Sequence, residues 1–374
     1  MAAPQIAAAI DLQWLAARSA EHERQGRLCD DALAALKAAN LFGLLTPAEL
    51  GGLEASPRDT LEVLAEVSRA DGSTGWVLTT CAFAAGLAGV YLGDSAASEV
   101  FGRGMPIIAG AGAPNGRARP LDRGFELSGR WSYGSGIRHA THTHNGGFIV
   151  DQHGEIRRDL GHHIFVTPIA AATLDDAWDV IGLRGTGSVD YAIERCVLPD
   201  GYEHPTRGAV QRRGGAIYRV GMAGMSAIAH TGFFLGIGRR VLDELGAVAR
   251  TKAGGLVDSE SFQEGYGAAE AHYRAARALV FEGWRTVEER VARNQPIERT
   301  DVSAVHLAMY HMAWASTSAA EYAFKAGGGV SLRGGPLQRA FRDTLAGRQH
   351  VRVSTAVLRA CARDLLLPGP ASQA

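Results

Sequence analysis

Six histidines fall in one short stretch, His139, His142, His144, His153, His162 and His163, and imidazole is both a common metal ligand and the side chain whose charge changes near neutral pH. A strand's alternation sends His142 and His144 to one face and His139 to the other, and no carboxylate stands at a recognisable ligand spacing. The pattern predicts imidazoles that pack or meet solvent, and no metal. His350 lies seven residues past Asp343, in Arg342-Asp343-Thr344-Leu345-Ala346-Gly347-Arg348-Gln349-His350; on these residues alone it reads as a packing or capping side chain of the last helix. The four cysteines, Cys29, Cys81, Cys196 and Cys361, are far apart and form no Cys-x-x-Cys or Cys/His set. That argues against a disulfide framework or structural zinc and gives reduced cytoplasm as the expected location.

Other chemistries leave no trace. The chain has no G-x-S-x-G elbow, no G-x-x-x-x-G-K-[ST] loop, no H-E-x-x-H pair, and no G-x-G-x-x-G between a strand and a helix. Without that last fingerprint there is no evident place for a nicotinamide cofactor, so any redox role needs electrons delivered by another protein. The 38 Lys and Arg against 39 Asp and Glu leave a net charge of −1, with no basic cluster to draw in nucleic acid or anionic lipid. Two uncharged stretches, 72–93 and 220–238, are rich in Gly, Ala, Ser and Thr rather than Leu and Ile, which predicts buried helices rather than membrane spans. The first residues carry no basic segment and meet Asp11 early, so no export signal is expected.

The elements that must position any site follow from periodicity. From Ala7 to Phe101 apolar residues recur three and four apart, broken at Thr46-Pro47 and Gly51-Gly52 and restarted at Ser56-Pro57, which predicts about four helices. Near Met105-Pro106 the period becomes two: Phe125, Leu127, Gly129, Trp131 and Tyr133 alternate with polar residues, and short runs at 148–150, 164–166 and 191–198 follow. After Gly215 four helical stretches are expected, 216–252, 263–294, 301–325 and 336–366. The fold class is therefore α+β, mostly α, with an N-terminal helical domain (1–104), a middle antiparallel β-barrel or sandwich (105–215) and a C-terminal four-helix bundle (216–374).

That order resembles the acyl-CoA dehydrogenase fold. The resemblance rests on Ser73-Thr74-Gly75-Trp76, Gly129-Arg130-Trp131-Ser132-Tyr133-Gly134-Ser135-Gly136 with His139-Ala140, Trp178 to Ser188, and the run from Gly327 to His350. In many dehydrogenases of the fold a catalytic glutamate lies in the segment similar to 327–343; the corresponding position here is Gly334, so that base is missing. The Arg342-Asp343…His350 spacing instead looks like the signature of the two-component, group D flavin-dependent monooxygenases. This resemblance implies an oxygenase that receives diffusible reduced FMN or FAD from a separate flavin reductase. With O2 it would form a C4a-hydroperoxide and oxygenate a small aromatic, heteroaromatic or amine substrate, as a homotetramer.

The resemblance implies His350 as the catalytic imidazole and Trp76, Trp131, Ser135, Gly136, Thr186, Gly327, Gly328 and Gly329 as flavin contacts, with Ser188 beside them and Arg250 and Lys252 as candidate phosphate partners. Phe83, Ala84 and His139 are the expected substrate neighbours. Ala84 stands where aromatic hydroxylases of this branch commonly carry a second histidine, so a single imidazole is expected, with a more apolar substrate or one recognised through nitrogen or sulfur. The uncharged stretch 220–238 is compatible with a subunit interface. Two other readings stay open: an acyl-CoA dehydrogenase whose base comes from another helix, and a non-catalytic binding protein on the same fold.

Overall fold

The structure, a computed structural model, describes residues 9–251 and 255–367; Lys252 lies outside the described residues. Helices α1 (Leu12–Ala17), α2 (Ser19–Gln25), α3 (Asp30–Ala38), α4 (Pro57–Ala70), α5 (Gly72–Tyr91) and α6 (Asp94–Phe101) come first. Their boundaries follow from capping chemistry. Ser56 accepts from the Asp59 amide with Pro57 in the first turn of α4, and Asp71 accepts from the Thr74 amide to open α5.

Seven strands follow, β1 (Ile108–Pro120), β2 (Phe125–Gly134), β3 (His142–Ile149), β4 (His162–Pro168), β5 (Thr173–Leu174), β6 (Val189–Leu198) and β7 (Glu203–Pro205). They form one sheet in the order β5-β6-β2-β1-β3-β4-β7. The strands share a single hydrogen-bonded sheet, and the expectation of wholly antiparallel pairing needs correction, because β1 and β3 pair in parallel. After the β1–β2 hairpin the chain crosses to the far edge of β1, so β3 runs with β1 while every other neighbouring pair is antiparallel. Long β1, rich in Gly, Ala and Pro, has none of the alternation that identifies a strand.

The bundle consists of α7 (Gly221–Thr251), α8 (Glu260–Ala292), α9 (Arg299–Gly327), the single turn α10 (Gly329–Leu332), α11 (Pro336–Arg348) and α12 (Thr355–Leu366). The fourth expected helix, 336–366, is thus two helices. The helix ends at Gln349, His350 takes an extended backbone, and a 3-10 turn spans Val351–Val353, where two β-branched residues flank Arg352. His350 therefore stands on a link between helices rather than along one.

Two apolar cores divide the molecule. One joins the N-terminal helices to the sheet and the other joins α4 and α5 to the bundle. The small residues of α7 set its approach to α4: a Cβ on Gly236 would lie 2.2 Å from the Ala65 carbonyl oxygen, and one on Gly232 would lie 2.5 Å from Leu64 Cβ. Both helices with the length and hydropathy of membrane spans, Gly72–Tyr91 and Ala216–Thr251, are largely buried within the protein. Within the 220–238 stretch, residues 224–238 are buried in their own chain and 221–223 are partly exposed.

Candidate active site

Helix α5 is buried along its whole length except at one place. From Ala70 to Leu92 only Thr80 and Phe83 are partly exposed, and with Trp76 they form a stripe at four- and three-residue spacing. Facing that stripe are His230 from α7 and His350 from the α11–α12 link. The His350 ring lies 5.6 Å from Trp76 and stacks on His230 at 4.4 Å with 22° between the planes. His230 meets Trp76 at 5.9 Å and Phe83 at 6.2 Å, both edge-on. Phe233 closes the group 4.8 Å from Trp76, and His144 of β3 approaches Phe83 at 6.4 Å.

Hydrogen bonds give the two stacked imidazoles opposite tautomers. His230 Nδ1 lies 2.8 Å from the Ser226 carbonyl, an acceptor only, so Nδ1 carries the proton and Nε2 is a bare lone pair. His230 is 3% exposed and its Nε2 has no partner in the protein. His350 Nδ1 accepts from the Arg352 amide at 3.4 Å, which leaves the proton on Nε2. Arg352 Nε donates to Ser226 Oγ at 2.8 Å, and Ser226 Oγ is 3.2 Å from His230 Nδ1. Burial, then the Arg352 charge, brings His350 down to about 4, and burial holds His230 far below its usual range. Both rings are neutral at physiological pH, as proton-accepting or hydrogen-bonding groups must be.

Beside this group the end of β2 makes a turn suited to a planar cofactor. Trp76 Nε1 donates to Ser135 Oγ at 3.1 Å, and Ser135 Oγ donates to Ser188 Oγ at 3.2 Å. Gly136 has φ +80° and no room for a Cβ, which would lie 2.8 Å from Cys81 Sγ. Its amide is already committed to the Thr186 carbonyl at 2.9 Å, and the Thr186 hydroxyl to the Leu183 carbonyl at 2.8 Å. Gly136 and Thr186 thus shape the turn rather than offer free donors. Buried Asp343 accepts from the Leu183 amide at 2.6 Å, and burial pushes its carboxyl up to about 7. The Arg342-Asp343 part of the signature therefore clamps the 183–188 loop onto Ser135 and Gly136.

The residues on this side fit an isoalloxazine ring. Tyr133, at φ +67°, keeps its ring 69% exposed and meets Trp178 edge-on at 6.1 Å, while Trp178 Nε1 is buried without a partner. Aromatic faces, an unused indole N–H and a hydroxyl pair match the needs of a flat, polar-edged tricycle.

Several expected site residues stand elsewhere. Trp131 is fully buried in the sheet, donates from Nε1 to the Gly146 carbonyl at 2.8 Å and stacks on Tyr191 at 5.4 Å. A register shift between Trp131 and Gly134 breaks the alternation and turns Tyr133 outward in its place. His139 is set among the N-terminal helices: burial, then Arg27, brings it down to about 4, with Asp30, Lys37 and His22 also acting on it. The Gly327-Gly328-Gly329 turn ends α9, and a Cβ on Gly327 would meet Ser331 and Leu337 while one on Gly329 would meet open space. Arg250 is exposed at the far end of α7, roughly 30 Å along the helix from His230 at 1.5 Å per residue. Ala84 is buried beside Phe83 and contributes only a methyl group.

Ala84 had led to the expectation of a single imidazole, which the structure overturns, since His230 supplies the second from another helix. Its sequence signal is faint, one histidine four residues after Ser226 in the uncharged first half of the helix. Among the described residues no three His, Cys, Asp or Glu side chains gather in a metal-binding group.

A helical domain, a mixed sheet and a helical bundle arranged around this aromatic group are the parts of the acyl-CoA dehydrogenase fold, and family models agree: residues 12–96 match the acyl-CoA dehydrogenase N-terminal domain and residues 228–355 the C-terminal domain. Indole-3-acetate monooxygenase of Pseudomonas putida is 30% identical over 89% of this chain and 86% of its own. The pigment production hydroxylase of Rhodococcus erythropolis is 28% identical over 89% and 88%. Among solved structures, the 3-HSA hydroxylase of Rhodococcus sp. RHA1 superposes with a TM-score of 0.87 at 23% identity over 97% of this chain and 96% of its own. XiaF of a Streptomyces species, solved in complex with FADH2, gives 0.87 at 22% over 99% and 97%. The chain belongs to the flavin-dependent monooxygenases of the acyl-CoA dehydrogenase fold. It is an enzyme, the oxygenase component of a two-component system.

Proposed function

We propose that this protein takes reduced FMN or FAD from a separate flavin reductase and uses O2 to hydroxylate an aromatic substrate seated between Phe83, His230 and His350. When bound, reduced flavin supplies the electron pair that activates O2: one oxygen atom goes to the substrate and the other leaves as water. The chain's own residues do the rest. Trp76, Phe83 and Phe233 exclude water, the Ser135–Ser188 pair and the faces of Tyr133 and Trp178 hold the ring system, and neutral His350 holds or moves a proton at the substrate. The observation that carries this reading is the stacked, neutral His350–His230 pair against Trp76 at the one partly open place along α5.

The proposal includes a cytoplasmic homotetramer. Leu332, Val351 and Leu366 are 71%, 70% and 78% exposed on the outer bundle, and apolar side chains in such number favour a covered face. Fluorescence titration with reduced FMN and reduced FAD, followed by product analysis with aromatic acceptors, tests the activity. Tight copurification of FAD that an acyl-CoA bleaches would instead establish the dehydrogenase reading. No affinity for either flavin would establish a binding protein.

A further inference from the structure

We propose that His230 is a substrate-binding residue that accepts a hydrogen bond through Nε2 from an O–H or N–H on the aromatic substrate, so that the enzyme selects phenol- or indole-type acceptors over their O- or N-methylated forms. The assignment rests on the reading of the Trp76–His350 pocket as the substrate site.

Three independent features point the same way. The Ser226 carbonyl 2.8 Å from Nδ1 fixes the tautomer, so Nε2 is an acceptor and never a donor while the ring is neutral. That nitrogen is buried and unpartnered, a destabilising state unless a bound molecule supplies the missing donor. The ring around it is entirely aromatic, with His350 stacked on it and Trp76 and Phe83 edge-on, and such walls receive a flat ring while leaving one polar point of attachment. A pocket that hydrogen-bonds a substrate hydrogen rejects the analogue lacking it, because the buried acceptor is then left unpaired.

Arg352 and Ser226 act behind this ring. The guanidinium donates to Ser226 Oγ, which touches Nδ1, and its charge favours the neutral ring. Beside it, His350 offers the opposite function, an Nε2–H donor. Together the two rings give a hydroxylated or N–H-bearing ring one acceptor and one donor.

The test is equilibrium binding to the protein loaded with reduced flavin under anaerobic conditions, using 2-naphthol against 2-methoxynaphthalene and indole against 1-methylindole. Wild type is expected to prefer the O–H or N–H member of at least one pair by about tenfold, which corresponds to about 1.4 kcal/mol. His230→Phe, which keeps the stacked ring but removes the acceptor, is expected to bring that ratio to about one. His230→Gln, whose Oε1 accepts, is expected to restore part of it. A wild-type protein that treats both members of both pairs alike overturns the assignment, as does a preference that survives in His230→Phe. Product formation is measured in parallel: absence of oxygenation in wild type with the preference intact refutes the proposed activity while leaving His230 as the recognition residue.

Discussion

Burying neutral imidazoles makes this fold sensitive to acid, by an amount that follows from the structure. His144 and His204 are brought down to about 3 and 4 by burial, His350 to about 4 by burial and Arg352, and His230 well below its usual range by burial and His350. In the unfolded chain each titrates near 6.5. Lowering the pH from 7.5 to 5 therefore protonates them only when unfolded, as it does His139, likewise brought down to about 4 by burial and Arg27, which costs roughly 2 kcal/mol each and about 10 kcal/mol for the five. Asp343 opposes this, because its carboxyl is raised to about 7 by burial. It binds a proton in the folded state first and returns roughly 3 kcal/mol over the same interval. The net loss of about 7 kcal/mol is comparable to the whole stability of many domains. Urea unfolding at pH 7.5 and 5 should show it, and His204→Phe should reduce the loss by about 2 kcal/mol. Equal midpoints at the two pH values would refute the reasoning, since the imidazoles would then be solvated or paired.

Three substitutions probe other parts of the account. His350→Ala should bind reduced flavin as wild type does but yield less product per flavin oxidised, measured by product against flavin consumed; an unchanged ratio would make His350 a packing residue. Arg352→Met removes the cation that, after burial, holds His350 low, so the stability lost between pH 7.5 and 5 should shrink, read from urea midpoints; an unchanged loss would show that Arg352 does not act on the ring. Gly129→Ala places a methyl 2.6 Å from Trp131 Cη2 and should destabilise the sheet by about 1–3 kcal/mol, read from thermal unfolding, with the flavin affinity of the surviving fold unchanged.

Much of this organisation was legible in the residues. The Ser56-Pro57 start of α4 and the period-two run that marks β2 each encode a local rule, and both elements stand where expected. What was hidden depends on long-range contacts or local irregularities. His230 lies 120 positions before His350, and only the packing of α7 against the α11–α12 link brings the two rings together. Trp131 and Tyr133 exchanged roles because a register shift before Gly134 has no sequence mark. Asp343 gave no sign that its work is to hold the 183–188 loop rather than to meet a ligand.

The central claim is that this pocket transfers an oxygen atom from O2 to an aromatic ring. Incubating the protein with reduced FMN or FAD, 18O2 and a set of phenols and indoles, then weighing the products, tests it directly. One 18O atom per hydroxylated product, dependent on His350, is the result the account requires. Hydrogen peroxide as the sole oxygen product with every acceptor, or a hydroxyl group derived from water, would contradict it.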